Sequence, residues 1–432
     1  MKLVNVFACA CVIACAVDAV AGVHNVQLDT SADRVECPLA VTLTRICTFD
    51  VLKMPDGTRI TSAAEWTAKA KPQIFSFFEK NVYGHLPPQP AKLERIPIES
   101  SDDALEGTAK RRQFRIISTD VGGTCAFDVL VYLPKVTTGK VPVVVCPNFS
   151  GNHSIIDDPS VRLPQGKVYH GKIATDAGRG LRPERIPVRD IVAKGFAIAT
   201  FCHCELYVDY GPRHPAPEES IWRIFAPERR GPALALTAWA WGNMRTLDLL
   251  ETVPEVDATR AMVVGQSRLA KVAVITAAYD ERFKICCPND GGCKTLMLVP
   301  NLMFPHWFAP GLTNWTEIGC SALSAAETAK LRGEKPTPPF DQCSLIGCIA
   351  PRKLYLGASS EDVYAPPDLH FAAITCAAPV WRLFGRTNIP PADRMYNPEP
   401  FFGDISWHCK KGPHSINRVD WEHFLDFASR VL

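Results

Sequence analysis

No stretch of this sequence carries a long run of like charge. Its 47 lysines and arginines nearly cancel 45 aspartates and glutamates, leaving a net charge of +2, so the strongly basic surface of a nucleic-acid or anionic-membrane binder is excluded. Beyond the N-terminus no segment has the length of a membrane span, for which about 20 apolar residues are needed. Neither an internal repeat nor a low-complexity tract is present, which removes repeat architectures from consideration. Metal-ligand spacing is missing as well. The close pairs Cys202-Cys204 and Cys286-Cys287 are accompanied by no second C-x-x-C and no zinc-spaced histidine pair. They read as buried or disulfide-bonded cysteines and not as metal ligands.

What is present begins with an export signal. Met1-Lys2 supplies a positive start, Leu3 to Val17 is apolar, and Ala19-Val20-Ala21 forms a cleavage site before Gly22. Residues 1–21 are therefore expected to be removed and the protein to be secreted or periplasmic. Val12-Ile13-Ala14-Cys15 offers an alternative, lipoprotein anchoring through Cys15. Three of the 17 cysteines fall in the signal, and the others can pair in an oxidising compartment, with a connectivity the sequence does not give. The 36 prolines and 27 glycines indicate many loops, which suits a site carried on a rigid scaffold. A chain of 432 residues can hold two or three domains, but α/β folds reach this size as one. Residues 22–432 are read as one catalytic domain, with 22–65 as an N-terminal arm, and a monomer is expected.

Trp66 to Tyr83 carries an aromatic face and stops at Gly84 and Pro87-Pro88, which predicts a helix. Arg112 to Ile117 and Ala126 to Leu133 alternate as strands around a Gly122-Gly123 turn. Val141 to Cys146 and Phe196 to Phe201 are continuous apolar runs, the sign of strands buried on both faces. Between them lies a polar insertion, roughly Asn152 to Arg189, expected to be a long surface loop near the mouth of a site. Pro232 to Leu250 predicts a helix, and Phe283 to Cys287, Lys353 to Gly357 and Ile405 to Cys409 predict short strands. Strands alternating with helices imply a mainly parallel sheet.

The chemistry centres on Ala261 to Lys271, reading A-M-V-V-G-Q-S-R-L-A-K. The apolar run predicts a buried strand, Gly265 permits a sharp turn, Ser267 stands at its tip, and a helix follows from Arg268 to Tyr279. Such a turn is the nucleophile elbow of an α/β-hydrolase, a three-layer αβα sandwich with a mostly parallel central sheet. Leu269 occupies the place where the usual elbow has a second glycine. A serine needs a base for its proton, and the base needs an acid to hold its tautomer. In this fold they follow in the order serine, acid, histidine, on loops after later strands. Two acids qualify, Asp290 after Phe283 to Cys287 and Asp362 after Lys353 to Gly357, and the choice stays open. His414, in Gly412-Pro413-His414-Ser415, is the expected base. His408 would lie on the strand and read as a packing residue, and His153 and His306 are further options. Oxyanion donors could come from the Arg268 amide and guanidinium or from the loop Pro147 to His153. Lys271, one helical turn past Ser267, points to a substrate contact.

Taken together these residues resemble the glucuronoyl esterase family, carbohydrate esterase family fifteen, in its bacterial branch. The family's serine motif G-x-S-R-x-G-K stands here as Gly265 to Lys271, and the resemblance runs from about Trp66 to Leu432. Val82-Tyr83-Gly84, Asn148 to His153, Trp239 to Gly242, Phe304 to Phe308, Phe340-Asp341-Gln342, Ile349 to Arg352 and Gly412-Pro413-His414 are similar to family segments in the same order. The resemblance implies cleavage of the ester between glucuronic acid, often 4-O-methylated and carried on xylan, and an alcohol of lignin. It assigns Ser267 as nucleophile, His414 as base, Arg268 as oxyanion stabiliser and Lys271 as a sugar contact. The implied partner is a glucuronate ester of plant cell-wall polysaccharide, and no cofactor or metal is implied.

Three departures qualify that picture. Ala270 replaces a motif glycine. Cys293 to Met303 is shorter than the usual segment, without its arginine pair and sugar-binding glutamate. Val363-Tyr364 stands where a tryptophan is common, so that Tyr364 takes the stacking role, with Trp307 nearby. The shorter segment predicts a wider, less sugar-specific pocket. Two alternatives follow, an esterase on acetyl or other small carboxylic esters and a non-catalytic carbohydrate-binding relative. Retention of Ser267, Arg268, His414 and two acids argues against the second.

Overall fold

Nine strands form one sheet in this computed structural model, which describes residues 49–210, 216–291, 339–362 and 365–432. In chain order the strands are β1 (Lys92–Ala104), β2 (Ala109–Asp120), β3 (Gly123–Pro134), β4 (Val141–Val145), β5 (Ala197–Phe201), β6 (Val256–Gln266), β7 (Phe283–Asn289), β8 (Lys353–Ser359) and β9 (Ile405–Lys410). Across the sheet they run β1-β2-β3-β5-β4-β6-β7-β8-β9. The six strands from β5 to β9 are parallel to their neighbours, while β1, β2 and β3 join through antiparallel pairs.

Alternation along the central strands sorts side chains into two cores. Val143, Val145, Ala261, Val263 and Leu354 face one layer, and Val144, Met262, Val264 and Tyr355 face the other. The first layer holds helices α1 (Lys71–Asn81), α3 (Ala235–Leu250), α4 (Arg268–Tyr279), α5 (Gln342–Gly347) and α6 (Pro367–Leu383). The second holds α2 (Val188–Ala193) and α7 (Arg418–Val431), the latter through Trp421, Phe424, Leu425 and Phe427. Burial on both faces explains the unbroken apolar runs of β4 and β5. This is the α/β-hydrolase sandwich expected from the sequence.

β1 and α6 escape sequence reading for physical reasons. β1 is an edge strand, largely exposed, with a bulge beside Pro97, so no alternation marks it. α6 carries Pro379 in its interior, a residue that removes a helix hydrogen bond, yet burial of Phe371, Ile374, Val380 and Trp381 holds it in place. The insertion after Asn152 also differs from a surface loop at its start, because Asn152 to Ile156 are buried. The ten described cysteines are all buried thiols. The export signal and most of the expected arm lie outside the described residues. Among those described, no helix is long and apolar enough to cross a membrane.

Candidate active site

The parallel strands end on one edge, the edge where open α/β sheets bind ligands. Ser267 follows β6 there with φ 60° and ψ −125°, in the left-handed half of backbone space that a non-glycine residue rarely visits. The turn is held by the Ser267 amide, which donates to the Asn289 carbonyl at 2.9 Å, and by the Ala270 amide, which donates to the Ser267 carbonyl at 3.0 Å. Gly265 is required by close approach, since a Cβ there would lie 2.0 Å from the Leu269 carbonyl oxygen. The helix start thus packs directly on the strand end, and Ser267 itself remains half-buried and reachable.

Both sequence-derived acids converge on the same histidine. His414 Nδ1 lies 2.6 Å from Asp362 Oδ2, and the Asp362 Oδ1 accepts from the Ala365 amide at 2.9 Å. Side-chain donor atoms of Asp290, Asp362 and His414 all fall within 4.8 Å of one another. Asp290 is fully buried with φ 45°, and its Oδ2 accepts from Ser359 Oγ at 2.7 Å and the Ser415 amide at 3.1 Å. Burial pushes its carboxyl up to about 6, with Asp362 adding to the rise and Lys410 and His414 opposing it.

A buried network beneath sets the loop that carries His414. Lys410, at the end of β9, donates to Ser359 Oγ at 2.8 Å, to the Ser415 carbonyl at 2.6 Å and to Asp420 Oδ1 at 3.0 Å. Asp420 in turn caps α7 through the Asn417 amide at 2.8 Å. His408 sits on β9 as a packing residue, bonded to Asp420 at 2.9 Å and Tyr355 at 3.2 Å. His153 is buried against the Thr175–Arg179 turn, away from this cluster's bonds.

Arg268 opens α4 directly after the serine. Its guanidinium donates to Asp209 Oδ2 at 2.7 Å and to Tyr169 Oη at 3.0 Å. Asp209, fully buried after β5, fixes the plane of a fork that carries five N–H donors. His203 supports it from behind, with Nδ1 bonded to the Asn148 carbonyl at 2.9 Å and Nε2 3.5 Å from Asp209. Cys202, His203 and Cys204 lie close enough to suggest a metal site. Cys204 Sγ, however, is 3.6 Å from His203 Nε2 and 4.0 Å from Nδ1, so the sulfur lies beside the ring and not beyond a nitrogen lone pair, where a shared ion would sit.

If Arg268 stabilises an oxyanion, Arg268→Ala should lower kcat by roughly 10²–10³ with a smaller change in KM. The variant also strands the Asp209 charge, so its thermal midpoint should fall. Adding Asp209→Asn should recover much of the midpoint without the rate, and Arg268→Lys should rescue poorly for want of a planar fork. A change in KM alone would reassign Arg268 to binding.

Lys271 is buried, and its ammonium donates to the carbonyl of Gly291, one residue past Asp290. The Pro147–His153 loop is closed on itself, with Asn148 bonded to Asn152 at 2.7 Å, to Thr200 at 2.9 Å and to the Gly151 amide at 2.7 Å. Trp307, Tyr364, His306 and the short segment Cys293 to Met303 lie outside the described residues. Asp209, Tyr169, Lys410 and Ser359 were not singled out in the sequence. A carboxylate just past a parallel strand was the available signal for Asp209; the others have none.

A family model for fungal glucuronyl esterase matches residues 151–385, more than half of the chain. Carbohydrate esterase MZ0003, from an unknown prokaryotic organism, is 29% identical over 411 residues, covering 89% of this chain and 89% of that protein. A solved glucuronoyl esterase from Solibacter usitatus superposes with a TM-score of 0.76 at 29% identity, covering 88% of this chain and 96% of the other. A promiscuous CE15 esterase from a marine bacterial metagenome gives a TM-score of 0.73 at 28% identity, covering 89% and 96%.

Proposed function

The chain belongs to the glucuronyl esterase family and is a carboxylic ester hydrolase, and from that premise we propose that it is exported and hydrolyses esters of glucuronic acid, with or without 4-O-methylation, as in lignin–xylan cross-links. The observation that carries the mechanism is the 2.6 Å bond between His414 Nδ1 and Asp362, on the same sheet edge as the strained Ser267. With Nδ1–H donating its hydrogen bond to the Asp362 carboxylate, the lone pair is on Nε2. His414 takes the Ser267 proton as Oγ attacks the uronoyl carbonyl, and Arg268 offsets the oxyanion charge. The tetrahedral species collapses, and the alcohol leaves with the proton from His414. Water then gives a proton to His414 as its oxygen attacks the acyl carbon. This second tetrahedral species collapses, the Ser267 Oγ–acyl bond breaks, Oγ takes the proton back from His414, and glucuronic acid is released. Asp362 steadies the imidazolium in both halves.

A broader ester range is the second reading, favoured by the relative whose name calls it promiscuous. Purified mature protein assayed on benzyl glucuronate, methyl glucuronate and p-nitrophenyl acetate separates the two. The proposal expects kcat/KM for benzyl glucuronate to exceed that for the acetate by at least about tenfold, a difference of about 1.4 kcal/mol in transition-state binding. Hydrolysis of the acetate with no turnover of either uronate would overturn it in favour of a small-ester esterase.

A further inference from the structure

Ser267 ends β6, which lies between β4 and β7. Toward β7 the Ser267 amide bonds the Asn289 carbonyl and the Lys271 ammonium bonds the Gly291 carbonyl. Toward β4 a separate cleft adjoins the elbow, and its walls include Phe149, Ile155, Arg182, Arg185, Leu269 and Ile416. Gln266 and Leu269 bring this cleft to either side of the serine in sequence, and Ile416 brings it within two residues of His414.

Arg185 is the unusual wall residue. Its backbone is fixed, because Trp421 Nε1 donates to its carbonyl at 3.0 Å and its amide donates to the Arg182 carbonyl at 3.2 Å. Its guanidinium lies over the Phe149 ring at 5.3 Å. Phe149 meets the Tyr169 ring edge-on at 5.5 Å, and Tyr169 carries the Arg268 guanidinium at 4.9 Å. Two arginines therefore flank one aromatic pair. Their electrostatic surroundings differ. Arg268 is neutralised by Asp209 at 2.7 Å, whereas among the described residues no carboxylate lies within ion-pair distance of Arg185 and its side chain makes no hydrogen bond. Burial pushes the Arg185 pKa down, with the charge of Arg182 adding to the fall and Glu184 opposing it. A half-buried guanidinium with no ion-pair partner among the described residues is stabilised by an anion that joins it.

We propose that this cleft receives the alcohol portion of the ester and that Arg185 pairs with a carboxylate carried on that portion. The inference rests on the esterase reading above and narrows its substrate class to esters whose alcohol is itself an acid. A planar guanidinium matches a carboxylate through two parallel hydrogen bonds, and the apolar walls, Ile155, Leu269 and Ile416, suit the carbon frame between that acid and the ester oxygen. The acyl sugar then occupies the β7 side, where Lys271 stands.

Two esters of glucuronic acid test this directly, one of 4-carboxybenzyl alcohol and one of its neutral isostere, 4-carbamoylbenzyl alcohol. The wild-type ratio of kcat/KM, charged over neutral, should be on the order of tenfold or more, as expected for a charge-assisted hydrogen bond, and should shrink as salt is added. In Arg185→Gln the ratio should collapse to about one, while Arg185→Lys keeps part of it. The ratio is measured within each protein, so a loss of folded material cancels. A wild-type ratio near one, or a ratio that survives Arg185→Gln, overturns the proposal. If the wild-type protein hydrolyses neither ester, the esterase reading itself has failed and this inference falls with it.

Discussion

Ser267→Ala should abolish ester hydrolysis almost completely while leaving the fold intact. Without Oγ no acyl-enzyme forms, and what remains is the rate that binding and the oxyanion donors give over water, typically about 10⁵–10⁶ below the intact triad. The thermal midpoint should hold or rise slightly, because Ser267 makes its elbow bonds through its backbone, by donation to the Asn289 carbonyl and acceptance from Ala270. Alanine changes neither bond, and its Cβ meets the same φ of 60° that serine already endures. Denatured protein would make the loss uninterpretable, so circular dichroism and the midpoint accompany the assay. Turnover like that of the wild type in a folded Ser267→Ala variant would remove serine catalysis from this protein.

The second large effect comes from the paired acids. Asp362→Asn replaces the charged acceptor of His414 Nδ1 with a neutral amide that can hold the wrong tautomer, a change that costs about 10⁴ in kcat where no other acid is at hand. Here Asp290 lies within 4.8 Å of the same histidine, so the single variant should lose only about 10–10² by that principle of a shared acceptor. Asp290→Asn should cost less than about tenfold, and the double variant should approach the full 10⁴ loss. Strict additivity, with Asp290→Asn silent in both backgrounds, would confine Asp290 to a structural role.

Stability gives an independent readout of the same pair. The Asp290 carboxyl is raised by burial to about 6 from an ordinary 3.8. Between those values the folded state keeps a proton that the unfolded state has released, so its contribution to stability falls as pH rises and stays low above about 6. The difference amounts to about 3 kcal/mol, at about 1.4 kcal/mol per pH unit. Asp290→Asn should therefore change the midpoint little near pH 4 and raise it at pH 7 to 8. An equal shift at both pH values would mean that ionisation of Asp290 is not what strains this site.

The place of Ser267 at the tip of its turn was legible in the sequence because its causes are local. An apolar run from Ala261 to Val264, a glycine where backbones touch, and small residues after Arg268 specify strand, turn and helix within one short segment. The parallel sheet was legible for a related reason, since strands buried on both faces must be apolar throughout. The position of His414, in a loop after one strand and before the last helix, followed from the order of elements.

What the sequence left open depends on how distant segments are brought into register. Asp290 and Asp362 looked equivalent, each an acid after a strand. Pairing of β7 with β8 sets Asn289 opposite Gly357, and that register, with the loop pinned by Lys410, gives Asp362 the 2.6 Å bond and leaves Asp290 buried beside it. The Arg268–Asp209 ion pair joins residues 59 positions apart, and Asn289 to Asp420 joins residues 131 apart. No periodicity or local propensity encodes such partners. Local sequence decides which backbone conformation a segment adopts, whereas the choice between two chemically identical carboxylates is made by tertiary packing, because hydrogen bonds and desolvation change steeply with distance.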